Sequence, residues 1–68
     1  MNLTPVCSTN INSIGYEENT LYVLFNAGSL YAYHNVPYEV YNALMNAPSH
    51  GKYLANYIKG RYAYTRLR

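Results

Sequence analysis

From Ile11 to His34 the apolar positions recur every second residue, the period of a strand with one buried face. Ile14 and Tyr16 alternate with small or polar neighbours, which predicts a first strand ending at the turn Glu17-Glu18-Asn19. Leu21, Val23 and Phe25 alternate with Thr20, Tyr22 and Leu24 on a second strand, and Leu30 to His34 forms a third. Between these two, Asn26-Ala27-Gly28 suits a three-residue hairpin loop, because Gly28 takes the positive φ of a bulged turn without a Cβ clash. The loop sets the register: Phe25 opposite Ser29, Val23 opposite Tyr31, Leu21 opposite Tyr33. One sheet face is then Leu21, Val23, Phe25, Tyr31 and Tyr33. The other carries Tyr22, Leu24, Leu30 and Ala32, with Thr20 and His34 at one end.

After His34 the period lengthens. Pro37 fits the first turn of a helix, where no amide donor is needed, and Val40, Tyr41 and Leu44 recur at helical spacing. The spacing predicts a helix from about Pro37 to Ala47, ended by Pro48. Ser49 is a suitable N-cap for a second helix, on which Tyr53, Leu54, Tyr57 and Ile58 make one apolar stripe before Gly60 stops it. Arg61 to Leu67 alternates again, as a short further strand or an ordered tail. The expected fold is α+β: a three-stranded antiparallel meander followed by a helical hairpin packed on one sheet face, with a possible short C-terminal strand. The expected core is Leu21, Val23, Phe25, Tyr31, Tyr33, Val40, Tyr41, Leu44, Tyr57 and Ile58. Since Tyr31 and Tyr33 share a face with Leu21, Val23 and Phe25, packing under the helices is preferred to ligand stacking, with one hydroxyl at the rim.

Two helices cover only one face. Tyr22, Leu24 and Leu30 on the other form an apolar patch, which points to a homo-oligomer, a dimer first, through that face or an edge strand. Size agrees: 68 residues make one domain, residues 1–68 with a core of about 8–67, and so short a chain is marginal alone. No apolar run approaches the roughly 18–20 residues of a membrane span, and Met1 to Pro5 shows no basic segment leading into an apolar one. A cytoplasmic protein without a membrane partner is expected. Cys7 is the only cysteine, so no internal disulfide forms. With only His34 and His50 beside it, no metal set is expected, and no cofactor.

Charge is divided along the chain. Glu17, Glu18 and Glu39 lie in the first 51 residues, whereas Lys52, Lys59, Arg61, Arg66 and Arg68 occupy the last 17. A basic end suggests an anionic partner, although a solvated helix end and tail carry the same charges without one. Tyr53, Tyr57, Tyr62 and Tyr64 are interleaved with these bases, and Tyr53 and Tyr57 are expected to face the core. Cations beside aromatic rings are the composition of a phosphate-and-base surface, which makes Lys52, Lys59, Arg61, Tyr62, Tyr64 and Arg66 the nucleic-acid candidates. Ser49, Gly51 and Lys52 at a helix start are a phosphate candidate, against an ordinary capped helix. Catalysis has little support. Cys7, His34 and His50 could supply a nucleophile and a base, but a lone cysteine is more often a small buried hydrophobe, and no carboxylates are paired for acid–base work. A non-enzyme with no catalytic residues is expected.

The run Leu21-x-Val23-x-Phe25-x-x-Gly28-x-x-Tyr31-x-Tyr33-x-x-Val36-Pro37 resembles the signature of the KTSC domain. It continues through Tyr41-x-x-Leu44-x-x-Ala47-x-Ser49-x-Gly51-x-Tyr53 to Ile58 and Tyr62, so the resemblance covers nearly the whole chain. The family takes its name from an extension of some lysyl-tRNA synthetases and also occurs as small bacterial and phage proteins. The resemblance implies the fold and, by that association, RNA binding. The expectation is a small non-enzymatic RNA-binding module acting as a homo-oligomer. Two alternatives stay open: a protein-interaction or inhibitor module of phage or mobile-element type, and an oligomer that sequesters a nucleotide.

Overall fold

Two residues in left-handed backbone conformation, Glu18 (φ 50°) and Asn19 (φ 64°), turn the first hairpin between strands β2 (Ile11–Glu17) and β3 (Thr20–Phe25). Positive φ at both central positions gives the turn twist that suits two right-twisted strands, and Asn tolerates it better than most residues. The next hairpin joins β3 to β4 (Leu30–Tyr33) through the expected loop, with Gly28 at φ 103° and its amide donating to the Phe25 carbonyl at 2.8 Å. Register is as the loop dictates, Val23 facing Tyr31 and Leu21 facing Tyr33, with the Phe25 amide bonded to the Ser29 carbonyl.

The computed structural model describes residues 2–68; Met1, the first residue of the one-domain expectation, lies outside them. The sheet has five antiparallel strands in the order of the sequence: the expected meander of three stands at its centre, the possible C-terminal strand forms, and one unforeseen strand precedes them. Strand β1 (Thr4–Pro5) pairs with β2, and β5 (Tyr64–Arg66) pairs with β4. Between β4 and β5 the chain forms helix α1 (Tyr38–Asn46) and helix α2 (His50–Tyr53), which runs on into a π-helical turn, Leu54–Ile58. The Lys59 amide closes that turn on the Leu54 carbonyl at 2.9 Å.

Ile11, Ile14, Leu21, Val23 and Tyr33 from the sheet meet Val36, Leu44, Leu54 and Ile58 in one core. Phe25, Tyr31, Val40 and Tyr41 pack on its rim, half-buried, which divides the tyrosines as expected: Tyr33 inside, Tyr31 at the edge. Tyr57 is a correction. It is 53 % exposed and lies against Tyr53, centroids 4.7 Å apart and planes tilted by 39°, because Leu54 and Ile58, one turn apart, take the inward face and leave Tyr57 on the flank. Cys7 is a second correction: it is exposed, in the bend between β1 and β2.

Candidate ligand cleft

The site begins with a pairing across the sheet edge. Antiparallel registry of β4 and β5 sets Tyr31 opposite Arg66 and Tyr33 opposite Tyr64. Strand twist then lays the Tyr64 ring on the neighbouring Tyr31, with centroids 5.2 Å apart and planes 11° from parallel. Tyr31 in turn meets Phe25 edge-on at 5.5 Å. The rings form a continuous wall from the β3–β4 loop to the edge strand. Tyr64 is 58 % exposed, so the wall opens to solvent.

The π turn supplies the cation. Its wide closure keeps Leu54 and Ile58 in the core while delivering Lys59, whose ammonium nitrogen lies 5.7 Å from the Phe25 centroid, within cation–π range. Gly60, at φ 81°, turns the chain away at once. The resulting cleft has two lobes that share Tyr31 and Lys59. One, of about 510 Å³, is lined by Thr9, Asn10, Phe25, Asn26, Ala27 and Ser29 besides the shared pair. The other, of about 250 Å³, adds Tyr33, Gly60 and Tyr64. Burial first, and then the neighbouring phenols of Tyr31 and Tyr64, hold the Tyr33 phenol above its ordinary value of 10.0. Arg66 flanks the larger lobe: its Nε donates to the Arg68 carbonyl and its Nη2 to Ser29 Oγ, both at 3.3 Å.

Of the residues singled out in the sequence, the structure brings Lys59 and Tyr64 together in the cleft and sets Arg66 beside it. Arg61 is exposed just after Gly60, and Tyr62 is half-buried against the core. Lys52 is exposed on α2 and lines neither lobe. Ser49 caps α2, its hydroxyl accepting from the Lys52 amide at 3.3 Å, and Gly51 backs onto Asn10 and Ser8. Phe25, Asn26 and Ser29 were not singled out as ligand contacts, and Tyr31 was assigned to core packing in preference to stacking. The predicted hairpin register already placed Phe25, Ser29 and Tyr31 side by side. The missing information was the pairing of the expected C-terminal strand, β5, with β4, which builds the outer wall.

His34 Nε2 sits 2.8 Å from Thr65 Oγ1, and His50 Nδ1 donates to the Leu44 carbonyl at 2.8 Å; neither bonds Cys7. Among the described residues no group of three or more His, Cys, Asp or Glu side chains is placed to hold a metal ion. No helix among them is long and apolar enough to cross a membrane.

The opposite sheet face is also defined. One row across it runs Gly15, Tyr22, Ala32 and Thr65, with the Leu3 side chain lying over Gly15. A second runs Ser13, Leu24 and Leu30, and the Leu67 amide bonded to the Leu30 carbonyl extends it. Neither row contains a charge. Tyr22, Leu24 and Leu30 are half-buried and Leu67 is 51 % exposed.

Comparison with known proteins places this arrangement. The chain superposes on the crystal structure of a KTSC domain protein from Yersinia pestis with a TM-score of 0.91, 33 % identity, and coverage of 98 % of this chain and 97 % of that one. It is 40 % identical over 63 residues to a protein of Stutzerimonas stutzeri, covering 88 % of this chain and 89 % of the relative. It is 42 % identical over 59 residues to the lysine--tRNA ligase of Trichormus variabilis, covering 84 % of this chain but only 10 % of the ligase. The chain thus spans about a tenth of the length of the ligases it matches. The KTSC domain profile itself matches residues 7–62, and with that the chain belongs to the KTSC domain family.

Proposed function

We propose that the protein is a small non-enzymatic module that binds single-stranded RNA at the Lys59–Tyr64 cleft. The observation that carries this reading is the Tyr31–Tyr64 stack, open to solvent on one side and flanked by Lys59 and Arg66. Exposed aromatic faces accept any base, and the adjacent cations neutralise phosphates. Similarity to part of lysine--tRNA ligases supports RNA as the polyanion and the cytoplasm as its setting. Arg61 and Lys52 extend the positive surface beyond the cleft; Leu54 and Ile58 hold the segment between them to the core, and Tyr62 packs there just after Arg61.

The test is fluorescence anisotropy with a labelled single-stranded RNA between 50 and about 200 mM salt. Three phosphate contacts give a slope of about −2 in log K against log salt for a single strand. Lys59→Ala should flatten that slope by roughly 0.7. A salt-independent affinity, or none in wild type at low salt, would overturn the reading.

A second reading concerns assembly and is favoured by the two uncharged rows of the opposite sheet face, which the N-terminal segment covers only in part, and by the exposed Leu67 beside them. We infer a homodimer through Tyr22, Leu24 and Leu30.

A further inference from the structure

We propose that the two lobes of the cleft hold two successive nucleotides: one base on Phe25 and Tyr31 in the larger lobe, the next on Tyr64 in the smaller, with the linking phosphate at Lys59. This deepens the RNA reading and rests on it. The first observation is the shared boundary. Tyr31 and Lys59 line both lobes, so a chain passing from one to the other must cross the ring and meet the ammonium group. Volume supports the same division. The larger lobe, about 510 Å³, lies within the range of small-molecule sites, whereas the smaller, about 250 Å³, falls below it and suits a fragment the size of one base.

The polar rim of the larger lobe matches a base rather than a bare aromatic ring. The Asn26 side-chain amide donates to the Ser8 carbonyl at 3.4 Å and to the Thr9 carbonyl at 3.0 Å. Only the nitrogen can donate to two carbonyls, so the carboxamide is pinned and Oδ1 is its remaining acceptor. At the other end of the same loop, Ser29 Oγ accepts from Arg66 and keeps its own proton to donate. An acceptor and a donor at the two ends of one loop thus line the same lobe as Phe25 and Tyr31, the polar groups that a base edge carrying both a donor and an acceptor would use. On its Watson–Crick edge each nucleobase presents a donor beside an acceptor. The smaller lobe offers ring faces and phenols instead, and Gly60 adds no side chain to its mouth.

The experiment measures affinity against ligand length at fixed low salt, using labelled RNA of one, two, three and six nucleotides and the intact protein. Stacking is worth roughly 1–3 kcal/mol per base, so the second nucleotide should tighten binding by about five- to hundredfold. Beyond two, each nucleotide should add less than about threefold. Phe25→Leu and Tyr64→Ser should each collapse the step between one and two nucleotides, whereas Tyr64→Phe, which keeps the ring, should preserve it. Circular dichroism confirms that each variant folds, and a misfolded Phe25→Leu leaves the Tyr64 pair to decide. A smooth rise with length, or a step that survives in Tyr64→Ser, would overturn the two-lobe proposal and leave RNA binding standing. No binding at any length would overturn both.

Discussion

The Tyr16 hydroxyl donates to the Val36 carbonyl at 2.6 Å, joining β2 to the residue that leads into α1 across 20 positions of sequence. The same ring stacks on Tyr41 at 4.9 Å and meets Tyr38 edge-on at 6.0 Å, so one side chain fixes both the start and the face of the helix. Val36 is fully buried, and its carbonyl depends on this donor. Tyr16→Phe keeps the stacking and removes the bond. It should cost about 1–2 kcal/mol in urea denaturation without changing the slope. A cost near zero would mean that water or Asn19, 3.1 Å from the same hydroxyl, replaces the bond.

Gly15 makes the second prediction. A Cβ at this position would lie 2.6 Å from the Asn2 carbonyl oxygen and 3.0 Å from Leu3 Cδ2. The first contact is with backbone, so the N-terminal segment must move. Gly15→Ala should destabilise the fold by about 1–3 kcal/mol. It should also release the Val6 amide, now bonded to the Asn12 carbonyl at 3.1 Å, to hydrogen exchange. Unchanged protection at Val6 would contradict the clash.

Tyr33 ties stability to alkaline pH. Its phenol titrates above 10.0 in the fold, through burial and then the neighbouring phenols, and near that ordinary value in the unfolded chain. The unfolded chain therefore releases the proton first. The contribution is whole below about pH 10 and is lost as pH climbs through the raised value. Urea midpoints measured from pH 8 to about 12 should fall less steeply for Tyr33→Phe than for wild type. Parallel curves would refute the assignment.

Leu24→Lys tests the open sheet face. Placing a charge in the middle of an uncharged row should convert a dimer to single chains in light scattering. RNA affinity per chain should stay within about twofold, because the cleft lies on the other side of the sheet. A wild-type protein that scatters as single chains at all concentrations would end the dimer inference.

The central hairpin was legible because one loop, Asn26-Ala27-Gly28, determines loop length, turn geometry and register together. The helices were legible through Pro37, Pro48, Ser49 and Gly60, which bracket them within a residue or two. Strand β1 was not, since two residues, one of them Pro5, show no alternation to read. The π turn was hidden for a different reason. Leu54 and Ile58 keep helical spacing whether the chain closes on the fourth or the fifth residue, and only backbone bonds such as that of the Lys59 amide to the Leu54 carbonyl distinguish the two. In the cleft, the basic and aromatic residues near the C-terminus were visible as a composition. Their partners on β3 and β4 emerge only when β5 folds back against the sheet, which a three-residue strand barely announces.

That last strand couples order to occupancy. Strand β5 is exposed throughout, is held on one side by β4 alone, and contributes Tyr64 to the binding wall. Peeling it away dismantles the cleft, so a ligand of the proposed kind, lodged against Tyr64, would hold the strand on the sheet. With RNA in excess, the β5 amides that pair with β4 should exchange with solvent more slowly than in the free protein.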